Sequence, residues 1–431
     1  MLDGFLDDIA SAEDAACPSE HLLRCIRERG VESLYARTGF FALAVVDRKR
    51  SITYLMKDRL GSKPLFYANV DGGWCWASEI KCIQPFIGAE LDRQSLPEIF
   101  HYRWLAGPRT LLSAVRQVLP GHVAVLGPNG SCETHCYWKP RLEPRASGAL
   151  NEFVDEAGSL LLNHLRGLAR RYPRVGIPLS AGVDSALLSA LASQAGFSEC
   201  VTISARYPGW RNPELEPAAE AAQHLKLEHL IVDIDSDFIA RTFRPLLWRL
   251  EEPSRHYHVF PLSAIFEKLS SRVDLVLYGE GADTVFGPRS LQKLKLFAHR
   301  HSRLEPVPAP VRHILAALAL ASHTGRGNYL ANLLRHTPES FIFNLFAIKS
   351  HTDPARLISG VYHEVAPNPE VRSRVLSSDA DSVANLYSLS LSTATKNHLD
   401  TMDRISAPSG ITVALPFLSH EVIDLGQTIP L

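Results

Sequence analysis

The segment Val175-Gly176-Ile177-Pro178-Leu179-Ser180-Ala181-Gly182-Val183-Asp184-Ser185 constrains this chain more than any other. It reads as a buried strand, then a tight turn of serine and glycine, then a helix that continues through Ala186-Leu187-Leu188. Backbone N–H groups at such a helix start have no partner within the helix, and the helix dipole is positive there. A phosphate fits that terminus, and small residues let it approach the backbone. Ser180 and Ser185 add hydroxyl donors, and Asp184 adds a carboxylate able to hold Mg²⁺ against phosphate oxygens. The chemistry this pattern points to is cleavage of ATP at the pyrophosphate.

A second acidic turn follows a predicted strand over residues 275–278. It reads Tyr278-Gly279-Glu280-Gly281-Ala282-Asp283-Thr284. Glycines on both sides of Glu280 admit close backbone approach to a ligand. Glu280 and Asp283 are expected to point into a crevice beside Asp184. Asp184 and Asp283 are expected to share one Mg²⁺ bound to triphosphate. Glu280 is then the candidate base, or the group that positions an attacking amine. The bland reading of either turn alone is a plain glycine-rich loop, at roughly one in three. Two of them at strand ends of one α/β region favour the functional reading.

The texture of the chain divides it. Short strand-like runs separated by turns occupy residues 40–46, 52–56, 65–68, 74–77 and 122–126. They predict a mostly antiparallel, β-rich domain over residues 1–138. Residues 139–149, rich in Pro, Arg, Gly and Ser, read as a linker. From residue 150 onward strands alternate with helices. Candidate parallel strands cover 175–179, 200–205, 230–234 and 275–278, with helices over 151–171 and 214–226. That alternation predicts a doubly wound parallel sheet, with ligands beyond the carboxyl ends of the strands. From about residue 291 the pattern is mostly helical.

With 431 residues the chain is long enough for two domains. Its 45 basic and 46 acidic residues give a net charge of −1, which offers no expectation of nucleic acid or an anionic membrane as partner. The seven cysteines are scattered, and the close pair Cys132/Cys136 has no second pair to complete a zinc set. A reducing, cytoplasmic compartment is expected. No basic n-region of a signal peptide is visible at the start. The longest apolar run, residues 314–322, is too short to span a bilayer and reads as a buried helix. His256 and His258 are candidates for the acceptor side of the crevice.

With both acidic turns in hand, the chain resembles the asparagine synthetase family. There an Ntn-type, class II glutamine amidotransferase-like domain precedes a PP-loop ATP pyrophosphatase domain. Thr38-Gly39-Phe40-Phe41-Ala42 is similar to an early strand of that family. Lys57-Asp58-Arg59-Leu60-Gly61-Ser62-Lys63-Pro64-Leu65-Phe66-Tyr67, Ala77-Ser78-Glu79-Ile80-Lys81 and Leu119-Pro120-Gly121-His122 match its next signatures. Ser180, Gly182, Asp184 and Ser185 match its pyrophosphate loop. Glu252-Pro253, residues 279–287, Asp403-Arg404 and Pro416-Phe417-Leu418 match later ones. The resemblance implies an AMP-forming ligase: a carboxylate attacks the α-phosphate of ATP, and an amine or ammonia displaces AMP from the acyl-adenylate. It implies that Ser180, Gly182, Asp184 and Ser185 hold pyrophosphate and Mg²⁺, with Asp283 a second Mg²⁺ ligand. Leu179, Ser204 and Gly279 would line the adenine and ribose pocket, and Glu280 would serve the amine step. The implied cofactors are ATP and Mg²⁺. The implied partners are a small-molecule or peptide carboxylate and an amine, with a homodimer or a biosynthetic partner protein open.

The chain departs from the family in several places. Residue 2 is Leu2 rather than a nucleophilic cysteine, and internal Cys17 cannot supply an α-amino group as base. The strands that precede Glu20 in the family are not expected here, and Pro18 aligns with a glutamine-binding Asp. Glutaminase activity is therefore not expected. This feature resembles the branch of β-lactam synthetases and lasso peptide cyclases. Thr284 replaces an acid, Ala181 replaces a glycine, and Thr412 and Ala414 stand where Glu and Arg are frequent. No Lys follows Lys396, whereas the family supplies a late lysine to the departing pyrophosphate, so the C-terminal domain is expected to be incomplete. A glutamine-hydrolysing synthetase fragment, a macrolactam-forming cyclase and an inactive nucleotide-binding homologue stay open as alternatives.

Overall fold

The structure is a computed structural model. It describes residues 1–8, 17–96, 107–145, 149–252, 258–287, 290–304, 306–322, 324–337 and 382–430, with positions 98, 99, 104, 105 and 342 between them. The N-terminal region holds β1 (Leu2–Leu6), α1 (Pro18–Arg29), β2 (Gly39–Asp47), β3 (Ile52–Lys57), β4 (Phe66–Val70), β5 (Gly73–Ala77), α2 (Ile80–Ile83), β6 (Val115–Gln117), β7 (His122–Leu126) and β8 (Cys132–Cys136). A five-stranded antiparallel sheet runs β1-β2-β3-β7-β8, and a three-stranded one runs β5-β4-β6. The period-2 pattern of β2 explains the layering. Ala42 and Ala44 face the small sheet through Leu55, Tyr67 and Leu126. Phe41 and Leu43 face α1 through Leu22, and the turn that follows α1 through Leu34. The hairpin between β4 and β5 closes on Asp71 and Gly72, both at positive φ, as a two-residue turn requires.

One expectation for this region needs correction. A strand does precede Glu20: β1 pairs antiparallel with β2, from Leu2 opposite Leu43 to Leu6 opposite Gly39. Leu-Asp-Gly-Phe-Leu lacks strand propensity, and Gly4 at φ +102 brings its backbone against the Phe40 carbonyl. The expected linker makes backbone contacts with a later part of the chain. Glu143 and Arg145 donate their N–H groups to the carbonyls of Gln427 and Thr428, both at 2.8 Å.

The C-terminal region holds α3 (Leu150–Arg171), β9 (Arg174–Pro178), α4 (Val183–Ala192), β10 (Glu199–Arg206), α5 (Leu215–His224), β11 (Glu228–Asp233), α6 (Ser236–Leu250), α7 (Val259–Leu269), β12 (Leu275–Leu277), α8 (Ala282–Val285), α9 (Leu291–Ser302), α10 (Ala309–Ala321), α11 (Gly325–Arg335), α12 (Ser382–Leu389), α13 (Lys396–Ser406), β13 (Thr412–Ala414) and α14 (His420–Gly426). Its five strands are parallel in the order β11-β10-β9-β12-β13. The chain builds outward from β9 through β10 and β11, then crosses back to place β12 on the other side of β9. That reversal is a topological switch point, where open α/β sheets form a ligand crevice.

Both faces of the sheet are covered at its centre, where β9 and β12 are apolar, while the edge strand β11 is half exposed. Val175, Ile177, Leu275 and Leu277 pack on one side with Leu161, Leu188 and Phe417. Val201, Ile203 and Val276 pack on the other with Leu246, Phe266 and Ile405. The apolar run at residues 314–322 is helical but not buried. Ile314 and Leu318 are 63% and 65% exposed, and Ala316 is the buried residue of α10. Ala316 and Ala319, with Leu320, take the face against Ala331 and Leu334 of α11, where small residues let the two helices approach closely. Among the described residues no helix is long and apolar enough to cross a membrane.

Candidate functional site

The turn after β9 and the turn after β12 meet at the switch point. Gly182 caps α4 with extended φ/ψ, so the first helical N–H groups face the crevice. Ser185, in the first turn of α4, folds its hydroxyl back onto the loop. Ser185 Oγ accepts from the Ser180 N–H at 3.2 Å and lies 3.1 Å from the Gly182 carbonyl. Ser180 Oγ accepts from the Gly182 N–H at 3.1 Å and meets Ser185 Oγ at 3.2 Å. The loop is thus pre-shaped around two hydroxyls that a phosphate oxygen can engage. Gly279 lies directly on this helix start. A Cβ there would stand 3.5 Å from the Ser185 nitrogen and 3.6 Å from Asp184 Cβ.

A cleft of about 660 Å³ opens over these turns. It is lined by Leu179, Ser180, Gly182, Asp184, Ser185, Ser204, Gly279 and Glu280, and by His258 at its far wall. Leu179 and Ser204 are buried. Their polar groups are already joined: the Ser204 hydroxyl donates to the Leu179 carbonyl at 2.6 Å, and the Leu179 N–H donates to the Ile203 carbonyl. This sets the cleft floor and leaves it apolar, with Ile203, Leu262 and Ile265 alongside. Tyr207 and Trp210 form an edge-to-face pair at its outer rim, centroids 6.2 Å apart.

The predicted acids divide. Asp184 and Glu280 line the cleft, whereas Asp283 is exposed in α8 and is not part of that lining. Hard carboxylate oxygens are the right donors for Mg²⁺. Among the described residues no group of three His, Cys, Asp or Glu side chains could hold a metal alone. An ion shared with triphosphate oxygens and water needs only one or two carboxylates. Asp184, which lines the cleft, has the donor chemistry for that role. Cys132 and Cys136 are exposed on β8 and free. Pro253 and His256 lie outside the described residues.

Sequence reasoning missed His398. Its Nδ1 lies 3.4 Å from Glu280 Oε1. Burial depresses the imidazole, but the hydrogen bond and charge of Glu280 outweigh it and hold His398 above its ordinary value. His258 moves the other way: burial and the charge of His398 lower it, against the pull of Glu280. Burial, with Glu280 nearby, pushes the Tyr278 phenol up to about 12. The only signal for His398 was its place about one and a half helical turns before Asp403-Arg404.

The sequence model of asparagine synthase matches residues 159–431, well over half of the chain. The chain belongs to the asparagine synthase family. A glutamine amidotransferase domain model matches residues 9–138. Relatives of this family member include a putative glutamine-hydrolysing asparagine synthetase of Mycobacterium tuberculosis, 25% identical over 95% of this chain and 64% of the relative. Glutamine-hydrolysing asparagine synthetase 1 of Bacillus subtilis is 24% identical over 72% of this chain and 49% of its own length. Amidase chyE of Penicillium rubens is 24% identical over 70% and 48%. The chain therefore spans less than two thirds of these relatives. A glutamine-dependent NAD⁺ synthetase from Acinetobacter baumannii superposes over 76% of this chain and 84% of that one, at 13% identity and a TM-score of 0.28. At that score it bears no weight here.

Proposed function

We propose that this member of the asparagine synthase family is an ATP-dependent carbon–nitrogen ligase. A carboxylate oxygen attacks the α-phosphorus of ATP, the bond to the β-phosphate oxygen breaks, and pyrophosphate leaves. An amine or ammonia then attacks the acyl carbon, loses a proton, and expels AMP as the amide forms. The observation that carries this reading is Gly279 seated on the start of α4, which brings the Glu280 turn onto the phosphate-binding loop. Ser180, Gly182 and Ser185 hold the pyrophosphate through N–H and hydroxyl donors. Leu179, Ser204 and Gly279 bound the nucleoside. Mg²⁺ on Asp184 and Asp283 would neutralise the triphosphate. Glu280, with His398, takes the proton of the attacking amine.

The division into residues 1–138, 139–149 and 150–431 and a cytoplasmic setting belong to the same proposal. So does loss of glutaminase activity. Cys17 is exposed beside α1, with its nitrogen in a peptide bond, so it offers no free α-amine. Joining an amine-bearing substrate to an activated acid, as lasso cyclases and β-lactam synthetases do, is the sub-reading this favours over asparagine synthesis. The acid is a small molecule or a peptide, and the chain works as a homodimer or beside a biosynthetic partner.

The test is acid-dependent exchange of labelled pyrophosphate into ATP, with L-aspartate and a set of peptides as acids, and glutamate release from glutamine alongside. Exchange with a peptide and not with L-aspartate supports the sub-reading. Nucleotide binding with no exchange for any acid would leave a binding homologue instead.

A further inference from the structure

Helix α13 is clasped by buried charges from the N-terminal region. Lys57, at the end of β3, is 1% exposed, and its Nζ lies 3.7 Å from Asp400 Oδ1. Asp400 Oδ2 takes Lys396 Nζ at 2.5 Å. Lys396 Nζ also donates to Gln117 Oε1, and Gln117 Nε2 is anchored on the Gly107 carbonyl at 2.6 Å. One turn further, Lys63 Nζ meets Asp403 Oδ1 at 2.5 Å. Helical residues advance by about 100° each, so Lys396, Asp400 and Asp403 share one face. His398 lies about 200° from Lys396, on the other side of the helix. That side carries His398 to Glu280.

We propose that the N-terminal region acts as a clamp on the ligase site: Lys57 and Gln117 are positioning residues that fix α13 in register and so present His398 to Glu280. A slip or rotation of α13 would strand the buried charge of Lys57, because Asp400 would move away with Lys396, its partner on the same helix. The helix is therefore held in one register by ionic contacts that the apolar contacts of Met402 and Ile405 cannot enforce alone. In this role the amidotransferase-like region serves the synthetase without any chemistry of its own. The inference rests on Glu280 and His398 as the amine-step pair, but its test reads their contact directly and needs no substrate.

The experiment is an NMR titration of the full chain labelled with ¹⁵N-histidine, with the His398 signal assigned by its loss in His398→Gln. The groups facing His398 are Glu280 on the β12 turn and His258 at the start of α7. Glu280→Gln lowers the His398 midpoint, because a carboxylate favours the charged imidazole. Lys57→Met and Gln117→Leu are expected to lower it too, toward the Glu280→Gln value. Lys57→Arg restores the wild-type midpoint, and Arg174→Ala, at a surface ion pair elsewhere, leaves it there. ATP binding, followed by calorimetry, stays within about twofold in the clamp variants, because Lys57 and Gln117 are outside the cleft. Should Lys57→Met fail to fold, Gln117→Leu decides, since it keeps the Lys57–Asp400 pair. An unchanged His398 midpoint in a folded clamp variant would overturn the proposal and leave the ligase reading standing. Loss of ATP binding in the wild-type chain would sink the ligase reading and leave the clamp to be judged by the titration.

Discussion

Glu280 Oε1 and His398 Nδ1 are 3.4 Å apart, which joins the turn after β12 to a helix from the far end of the chain. An acid and a base so paired can pass a proton from an amine to the cleft wall without building net charge. Replacing either partner by Gln is expected to slow amide formation by about 10²–10⁴-fold while leaving pyrophosphate exchange within about threefold. Single-turnover assays that separate AMP release from exchange check this. An equal loss in both would move the pair to the activation step.

The phosphate loop predicts a second dissection. Ser185→Ala removes a hydroxyl that braces Ser180 and Gly182 and faces the cleft. ATP affinity should fall by about 5–30-fold, the worth of one or two hydrogen bonds to a charged phosphate. Asp184→Asn should reduce turnover further and flatten its Mg²⁺ dependence. Calorimetric ATP titrations with and without Mg²⁺ measure both effects.

Gly281 predicts a stability loss. It sits at φ +102, and a Cβ there would stand 2.3 Å from Leu418 Cδ2. Gly281→Ala must both strain the backbone and displace a buried leucine, at a cost of about 2–4 kcal/mol. Urea unfolding should show a lower midpoint at unchanged slope. Gly279→Ala, whose Cβ meets its neighbours at ordinary contact distance, should be nearly neutral in the same assay.

Buried histidines predict the pH dependence. His420 is 5% exposed, and burial, with the charge of Arg59 and then of His164, depresses it to about 3. It is neutral when folded and binds a proton near pH 6.5 when unfolded. The unfolded chain therefore binds more protons between about pH 3 and 6.5, so stability is complete above that window and falls as pH drops through it. The full contribution is on the order of 5 kcal/mol, of which about 2 kcal/mol is lost by pH 5. Denaturation midpoints should fall from pH 7.5 to pH 5, values chosen to bracket an ordinary imidazole at about 6.5, and fall less in His420→Gln.

The local pattern made much of this legible. The strands at Gly39–Asp47, Ile52–Lys57 and His122–Leu126 follow from alternation and turn residues, and β9 and β10 from apolar runs between helices. The loop around Ser180 was readable because its chemistry is contiguous in sequence. What the sequence hid depends on distant partners. Leu2–Leu6 and Thr412–Ala414 are strands by virtue of the neighbours they pair with, not their own propensity. Apart from its nearness to Asp403-Arg404, His398 is unmarked in the sequence, since its meaning comes from Glu280 across the fold. Ile314 and Leu318 misled because hydrophobicity alone does not say which face of a helix is covered.

The placement of β13 bears on how the protein is made. Its Ala414 carbonyl takes the Tyr278 N–H at 3.0 Å, directly beneath the turn that carries Glu280. During synthesis β9 to β12 leave the ribosome well before the strand that flanks them. Until β13 arrives, β12 is an open parallel edge with apolar faces, the kind of surface that recruits other chains. β13 thus closes that flank of the sheet long after β12 is translated, and a chain released before β13 is made would be prone to aggregate rather than be a slow enzyme.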